Sequence, residues 1–290
     1  MGGTHVVLRK VDGAEILRRV DKHGVTLMCG APAVANAIVE ASHQFDSGVP
    51  GRGTVRMVVA GAPPPSKTIE RVETELGWQF HQIYGLTETS PVLTINSPRF
   101  ETDNLTPAER SVVLSAAGAP TIGTEIATSS NGEVLARSNT VMDGYWNQPD
   151  ASDAAIKDGY FHTGDGGSIG DGHVLTISDR KKDVIISGGE NVSSIEVEDA
   201  LFSHPDVTEV AVIGIPDEKW GELVLGLVVK SPNSSLTEDE LIAYCRTKIA
   251  AYKCPKKVEF RTELARTATG KLQKFKLRAP YWDGYTKQVN

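Results

Sequence analysis

Cysteine is scarce in this sequence. There are three, Cys29, Cys245 and Cys254, odd in number and without metal-ligand spacing. That excludes a disulfide framework and points to a reducing, cytoplasmic setting. Basic charge is not in excess either. Thirty Lys and Arg face 37 Asp and Glu, for a net charge of −7, so no nucleic-acid partner is expected. No apolar run is long enough to cross a bilayer, and no transmembrane segment is expected. The opening "MGGTHVVLRK" lacks a charged stretch followed by an apolar one, so it does not read as a secretory signal. Internal repeats and low-complexity tracts are also missing. What remains is 290 residues, 40% apolar and 23% charged: a globular composition, enough for one large domain or two ordinary ones.

The first ninety residues alternate between two patterns. "THVVLRK", "VTLMCG", "VRMVVAG" and "WQFHQIYG" read as strands. "DGAEILRRVDKHG", "PAVANAIVEAS" and "PSKTIERVETEL" read as helices. Asp12 is placed to cap the first helix, with Glu15 three residues on and Gly24 just past its end. The expectation is α/β: a parallel sheet with helices on both faces. Because the first of these strands starts almost at residue 1, the sheet is expected to be cut open there. From about Gly118 to Asp179, short runs such as "GEVLARS", "YFHTGD" and "HVLTISD" lie between turn residues and predict a small antiparallel, barrel-like sheet. After Lys182 the order strand, helix, two strands, helix, strand predicts a compact α+β unit, with a capping box at Thr237 and Glu240.

Four stretches carry chemistry. "VVAGAPPP" (58–65) is a strand ending in a glycine-proline turn, where ligands sit in open parallel sheets; otherwise it is an ordinary turn. "YGLTETSP" (84–91) offers the aromatic Tyr84, a close backbone approach at Gly85, hydroxyls at Thr87 and Thr89, and the hard carboxylate of Glu88, suited to Mg²⁺ on a phosphate. "YFHTGD" (160–165) places Asp165 after a glycine in a predicted turn, where it can accept ribose hydroxyls; a plain hairpin is the bland alternative. His162 has no histidine or cysteine partner at a useful spacing and reads as packing or a weak ligand. "RTATGKLQK" (266–274) puts Lys271 in a Gly/Thr loop within a basic segment of nine Lys and Arg, either a steering surface for a polyphosphate or a solvated face.

These stretches, in one order with "DRKKDVIISGGENVSSIEVE", resemble the adenylate-forming superfamily, and among its members the acyl-CoA synthetases (AMP-dependent synthetases and ligases). The resemblance covers nearly the whole chain. It implies a large AMP-binding domain, seen here as its C-terminal portion over 1–181, and a small mobile C-terminal domain over 182–290. It implies ATP/AMP, Mg²⁺ and coenzyme A as cofactors, with a small-molecule carboxylic acid, first of all a fatty acid, as substrate. Position by position, Gly61, Ala62 and Pro63 line the adenine slot and Tyr84 stacks on the base, with Gly85 beside it. Thr87 meets the α-phosphate, and Glu88 holds Mg²⁺. Asp165 and Arg180 hold the ribose, Lys182 is the hinge, Gly188 and Gly189 line the pantetheine tunnel, and Lys271 supports adenylation.

In that family a carboxylate attacks ATP to give an acyl-adenylate and pyrophosphate, and coenzyme A then displaces AMP. The small domain rotates between the steps, and the charged joint at Lys182 is its pivot. Ser193 and Glu196 are expected to cap the helix after the paired glycines. The family's Ser/Thr/Gly-rich phosphate loop does not occur here, so the expectation is the C-terminal part of a longer synthetase. Ala265, Gly166, Ser178 and Asp179 depart from the usual residues. A nucleotide- or coenzyme-binding remnant, a luciferase-type relative and an interaction domain are the rival expectations.

Overall fold

The computed structural model describes residues 2–45, 48–267 and 270–285. Its elements are α1 (Gly13–His23), β1 (Leu27–Gly30), α2 (Pro32–Ser42), β2 (Arg56–Val59), α3 (Ser66–Arg71), β3 (Gln79–Tyr84), β4 (Thr94–Asn96), α4 (Pro107–Leu114) and β5 (Ala119–Pro120). Next come β6 (Thr124–Thr128), β7 (Glu133–Ser138), α5 (Pro149–Ala155), β8 (Ile156–Lys157), β9 (Tyr160–Ile169) and β10 (Leu175–Arg180). The last are β11 (Ile185–Ser187), β12 (Glu190–Val192), α6 (Ser194–Phe202), β13 (Val207–Asp217), β14 (Gly221–Lys230), α7 (Glu238–Arg246), β15 (Lys257–Phe260) and α8 (Lys274–Arg278).

Three sheets follow in chain order. The first runs β1-β2-β3-β4-β5, parallel across β1 to β3 and antiparallel beyond. Leu17, Ile38, Met57, Ile69, Trp78 and Phe80 form its core with the helices. The second is the expected antiparallel sheet, β10-β9-β7-β6 with β8 on β9. A small cluster of Ala117, Val134 and Leu175, with Tyr84 packed on it, seals the first sheet to the second. The third, β12-β11-β14-β13 with β15 on β14, carries α6 and α7 over one face and is the α+β unit. The fold class read from the sequence is therefore the one observed.

Local capping chemistry works as predicted. Asp12 accepts from the Glu15 amide at 2.8 Å, and Gly24 ends α1 at φ +58°. Thr237 and Glu240 form a complete capping box. Ser193 accepts from the Glu196 amide at 3.2 Å, but the Glu196 carboxylate does not reciprocate and pairs with Lys253 instead.

Several expectations are corrected. "THVVLRK" is not a strand: residues 2–8 are irregular. Alternation alone does not make a strand, because unpaired backbone groups need a neighbour. Among the described residues no strand pairs with the segment, and the Val7 carbonyl accepts from Arg19 at 2.9 Å. The helix of "PSKTIERVETEL" widens into a π turn over Val72–Leu76, and that of "EDELIAYCRTKIA" stops at Arg246. Asp165 does not sit in a turn. It lies inside β9, where the register against β7 slips between Glu133 and Leu135. Gly164, at φ +73°, supplies the left-handed residue of that bulge.

Candidate active site

The sheets converge where β3 ends against β9 and β10. Antiparallel pairing sets Arg180 opposite Asp165, with Arg180 Nε 3.5 Å from Asp165 Oδ1. Tyr84, at the end of β3, donates its hydroxyl to Asp165 Oδ2 at 2.9 Å. Asp165 is buried, and burial raises its pKa above the usual aspartate value, with Tyr84 and Arg180 offsetting part of that rise. Burial likewise pushes the Tyr84 phenol far up. Lys271 is half-buried and has no ion-pair partner among the described residues. Burial lowers its pKa, and the positive charge of Arg180 adds to this, while Asp165 works in the opposite sense. Tyr84, Asp165, Arg180 and Lys271 thus form one electrostatic neighbourhood. They come from four parts of the sequence.

The loop after β3 turns back sharply. A Cβ at Gly85 would lie 1.7 Å from the Pro91 carbonyl oxygen, so only glycine fits there. Thr89 is committed to structure: its hydroxyl accepts from the Leu86 amide at 3.0 Å. The Thr87 side chain is exposed and bonds no described residue. Glu88 Oε1 accepts from the Tyr145 hydroxyl at 3.0 Å, and its carbonyl accepts from the Met142 amide at 2.8 Å. Gly61 and Ala62 stand exposed just beyond the carboxyl end of β2, and Gly61 at φ +89° has open space around it. Pro63 is half-buried beside them.

Gly188 and Gly189 (φ +63° and +85°) make the two-residue turn of the β11–β12 hairpin. A Cβ at Gly188 would meet the Trp220 ring at 2.8 Å. Among the described residues no hydrogen bond or ion pair joins these glycines to the Asp165 cluster. Lys182 is exposed, and its carbonyl accepts from Arg278 at 3.0 Å. Ala268 and Thr269 of the "RTATGKLQK" stretch lie outside the described residues.

The basic segment is not a free steering surface. Lys253, Lys257, Arg261, Arg266, Lys274 and Arg278 are all in ion pairs with acidic side chains. Lys256 and Lys276 lie over aromatic rings. Of the nine cations, Lys271 has no ion pair or ring contact of its own among the described residues, and its charge is felt by Asp165.

Two contributors escaped the sequence reading. Tyr145 engages Glu88 from 57 positions away. Glu133 accepts from the Gly164 amide at 3.0 Å, Lys181 at 3.1 Å and His162 at 3.3 Å, and so braces the bulge that presents Asp165. Burial alone would raise the Glu133 pKa, but these bonds outweigh it and hold the pKa low. "GEVLARS", which holds Glu133, reads only as strand text, and "MDGYW", which holds Tyr145, carries no signal of its own.

A parallel sheet whose carboxyl ends meet a second sheet, with an aspartate, an arginine and a lysine at the junction, defines an adenylate-forming fold. The chain matches the AMP-binding enzyme family over residues 1–146 and the AMP-binding enzyme C-terminal domain over 196–271. It belongs to the AMP-binding enzyme family. It is 42% identical over 298 aligned positions to 2-methylpropanoate--CoA ligase CCL4 of Humulus lupulus, covering 96% of this chain and 52% of that protein. Among solved structures it resembles amide bond synthetase McbA from Marinactinospora thermotolerans (TM-score 0.82, 29% identity, 97% of this chain and 58% of that one). It also resembles ATP-bound MatB from Rhodopseudomonas palustris (TM-score 0.83, 28% identity, 98% and 56%). The chain spans about half the length of the curated relatives it matches. Among the described residues no helix is long and apolar enough to cross a membrane.

Proposed function

We propose that this chain is the C-terminal part of an acyl-CoA synthetase, which joins a carboxylic acid to coenzyme A through an acyl-adenylate. The observation that carries this reading is the convergence of Tyr84, Asp165, Arg180 and Lys271 beside the Glu88 loop. Residues 1–181 belong to the large AMP-binding domain, and 182–290 form the small one, pivoting at Lys182.

In the first half-reaction the attacking carboxylate is already an anion, so no general base is needed. Catalysis then rests on positioning and charge stabilisation. Asp165, set by Tyr84 and Arg180, accepts the ribose hydroxyls. Gly61, Ala62 and Pro63 edge the adenine slot at the end of β2, with Tyr84 against the base and Gly85 admitting the backbone. Thr87, its hydroxyl unengaged, meets the α-phosphate. Lys271 stabilises the charge that builds as pyrophosphate leaves. Tyr145 occupies Glu88 Oε1, and Oε2 bonds no described residue; that carboxylate oxygen would hold Mg²⁺, which would supply charge neutralisation. Among the described residues no group of three or more acidic, His or Cys side chains forms a cage of its own. In the second half-reaction Gly188 and Gly189 give the pantetheine arm room to pass. The acid is a small carboxylate, a fatty acid or a short branched acid. The three unpaired cysteines fit the cytoplasm.

Pyrophosphate release from ATP, with coenzyme A and a series of fatty, branched and aromatic acids, tests this reading. Because the chain spans about half of its relatives, its turnover alone is expected far below a typical ~10 s⁻¹. A longer chain carrying this sequence should release pyrophosphate only with acid present, and acid-independent release or none would overturn the proposal. The partial coverage also favours a second reading, a nucleotide-binding remnant. Binding of AMP to the longer chain with no turnover on any acid identifies that case.

A further inference from the structure

Among the contacts that tie α6 to the rest of the chain, which include the Ser193 hydroxyl on the Ser178 carbonyl, two mirror each other. Ser66 is the first residue of α3, whose N-cap, Pro65, has no side-chain acceptor. Asp199, on α6, fills that role across 133 positions: its Oδ1 accepts from the Ser66 amide at 2.8 Å and the Ser66 hydroxyl at 3.0 Å. In the opposite sense, Ser194 is the first residue of α6. Asp179, at the end of β10, accepts from the Ser194 amide and hydroxyl through Oδ2, both at 2.6 Å. Each side of the junction therefore gives an aspartate to the first serine of a helix on the other side. A Cβ at Gly270 would lie 3.5 Å from the Ala33 Cβ, so the Lys271 loop rests against the start of α2 on the same side.

We propose that Asp179 and Asp199 are positioning residues. Together they form a reciprocal clasp that holds the C-terminal unit in the pose where Lys271 faces Asp165, and both halves must open before that unit can turn. A carboxylate on a helix's first amide is a charge-assisted bond that complements the helix dipole. Both bonds depend on the relative placement of the two bodies, whereas packing within each body does not. Separately, the purpose of the pose rests on the adenylation reading above; the clasp itself does not.

Spin labels at Val112→Cys on α4 and Ala243→Cys on α7, both exposed, in a Cys29→Ser background, read the separation of the two bodies without any nucleotide. The expected result is one narrow separation in the parent. In Asp199→Ala and in Asp179→Ala a second separation should rise by roughly tenfold or more, the loss expected for hydrogen bonds to a charged group. Asp199→Asn keeps an acceptor but loses the charge and should fall between the parent and Asp199→Ala. If Asp179→Ala fails to fold, Ser66→Ala combined with Ser194→Ala decides the matter. That variant keeps both backbone donors and should give a smaller shift of the same sign. Folded variants that lose thermal stability but keep the parental separation would show a merely structural role and overturn the proposal. So would a parent already divided between two separations. Nucleotide plays no part in this measurement, so failure of the clasp is distinguishable from failure of the proposed activity.

Discussion

Lys271 and Lys274 are three residues apart, yet they sit in opposite kinds of surroundings. Lys274 is largely buried, 2.8 Å from Glu198 and 2.5 Å from the Ser194 hydroxyl, and Glu198 also accepts from the Val212 amide at 2.8 Å. Burial alone would lower the Lys274 pKa, but Glu198 and Asp179 outweigh it and hold the pKa up. Every polar group in that cluster has a partner. Lys271 instead faces an aspartate already shared by a tyrosine and an arginine, and has no ion pair of its own among the described residues. The lesson is that charge in a basic segment says little until its partners are counted. A satisfied cation builds the fold, and an unsatisfied one at a sheet junction is available to a ligand.

The sharpest way to break this contrast is to remove each lysine and measure stability. Lys274→Ala leaves the Glu198 carboxylate without its cation, held only by the Val212 amide, and should cost about 3–5 kcal/mol in denaturant unfolding. Lys271→Ala should stay within about 0.5 kcal/mol of the parent. Equal losses would erase the distinction.

Activity should reverse the ranking. In a longer chain that adenylates, Lys271→Ala is expected to slow acyl-adenylate formation by roughly 10²–10³, or about 3–4 kcal/mol. Thioester formation from preformed acyl-adenylate should be spared if the small unit turns as proposed and takes Lys271 away. Assaying the half-reactions separately decides it, and an unchanged adenylation rate removes Lys271 from the site.

A smaller effect comes from Tyr84→Phe. It deletes one hydrogen bond to the Asp165 carboxylate and should weaken AMP binding by about 1 kcal/mol, measured calorimetrically. Parental affinity would mean the hydroxyl does not orient Asp165.

The smallest effect is a pH dependence. Burial raises the folded pKa of Asp165 above 3.8, so the unfolded chain ionises first as pH rises. The residue's contribution to stability is full below that unfolded value and is lost as pH rises through the folded one. AMP affinity should move the other way across the same window, because the carboxylate form accepts the ribose. Asp165→Asn should flatten both curves, followed as thermal midpoint and as affinity.

Local signals were legible in the sequence and distant ones were not. Gly24, Asp12 and the Thr237–Glu240 box follow from positions within a few residues of one another. The alternation of β1 to β3 with helices was also readable, because each apolar face must be buried. Residues 4–10 misled because alternation does not say whether a neighbouring strand exists. The turn expected at Asp165 is a β-bulge instead, and that depends on Glu133, which binds the Gly164 amide from 31 positions earlier. Tyr145 was silent for the same reason: its partner, Glu88, lies 57 positions away. The motifs marked Lys271 and Asp165, but only folding reveals which of nine cations is left for that aspartate.

Trp220 turns the glycine hairpin into something that can be watched with light. Its indole edge abuts Gly188, while Lys219 and Lys256 lie 4.9 Å and 5.6 Å from the ring. Trp78 and Trp282 are buried, so their emission should be blue and steady. Trp146 is 88% exposed and follows Tyr145, which holds Glu88. The protein thus carries two exposed tryptophans in contrasting places, one beside the hairpin and one beside the acidic loop. Phenylalanine at either position would assign each signal, so that a thiol entering at the hairpin and a nucleotide settling at the loop would register as separate changes in colour and intensity.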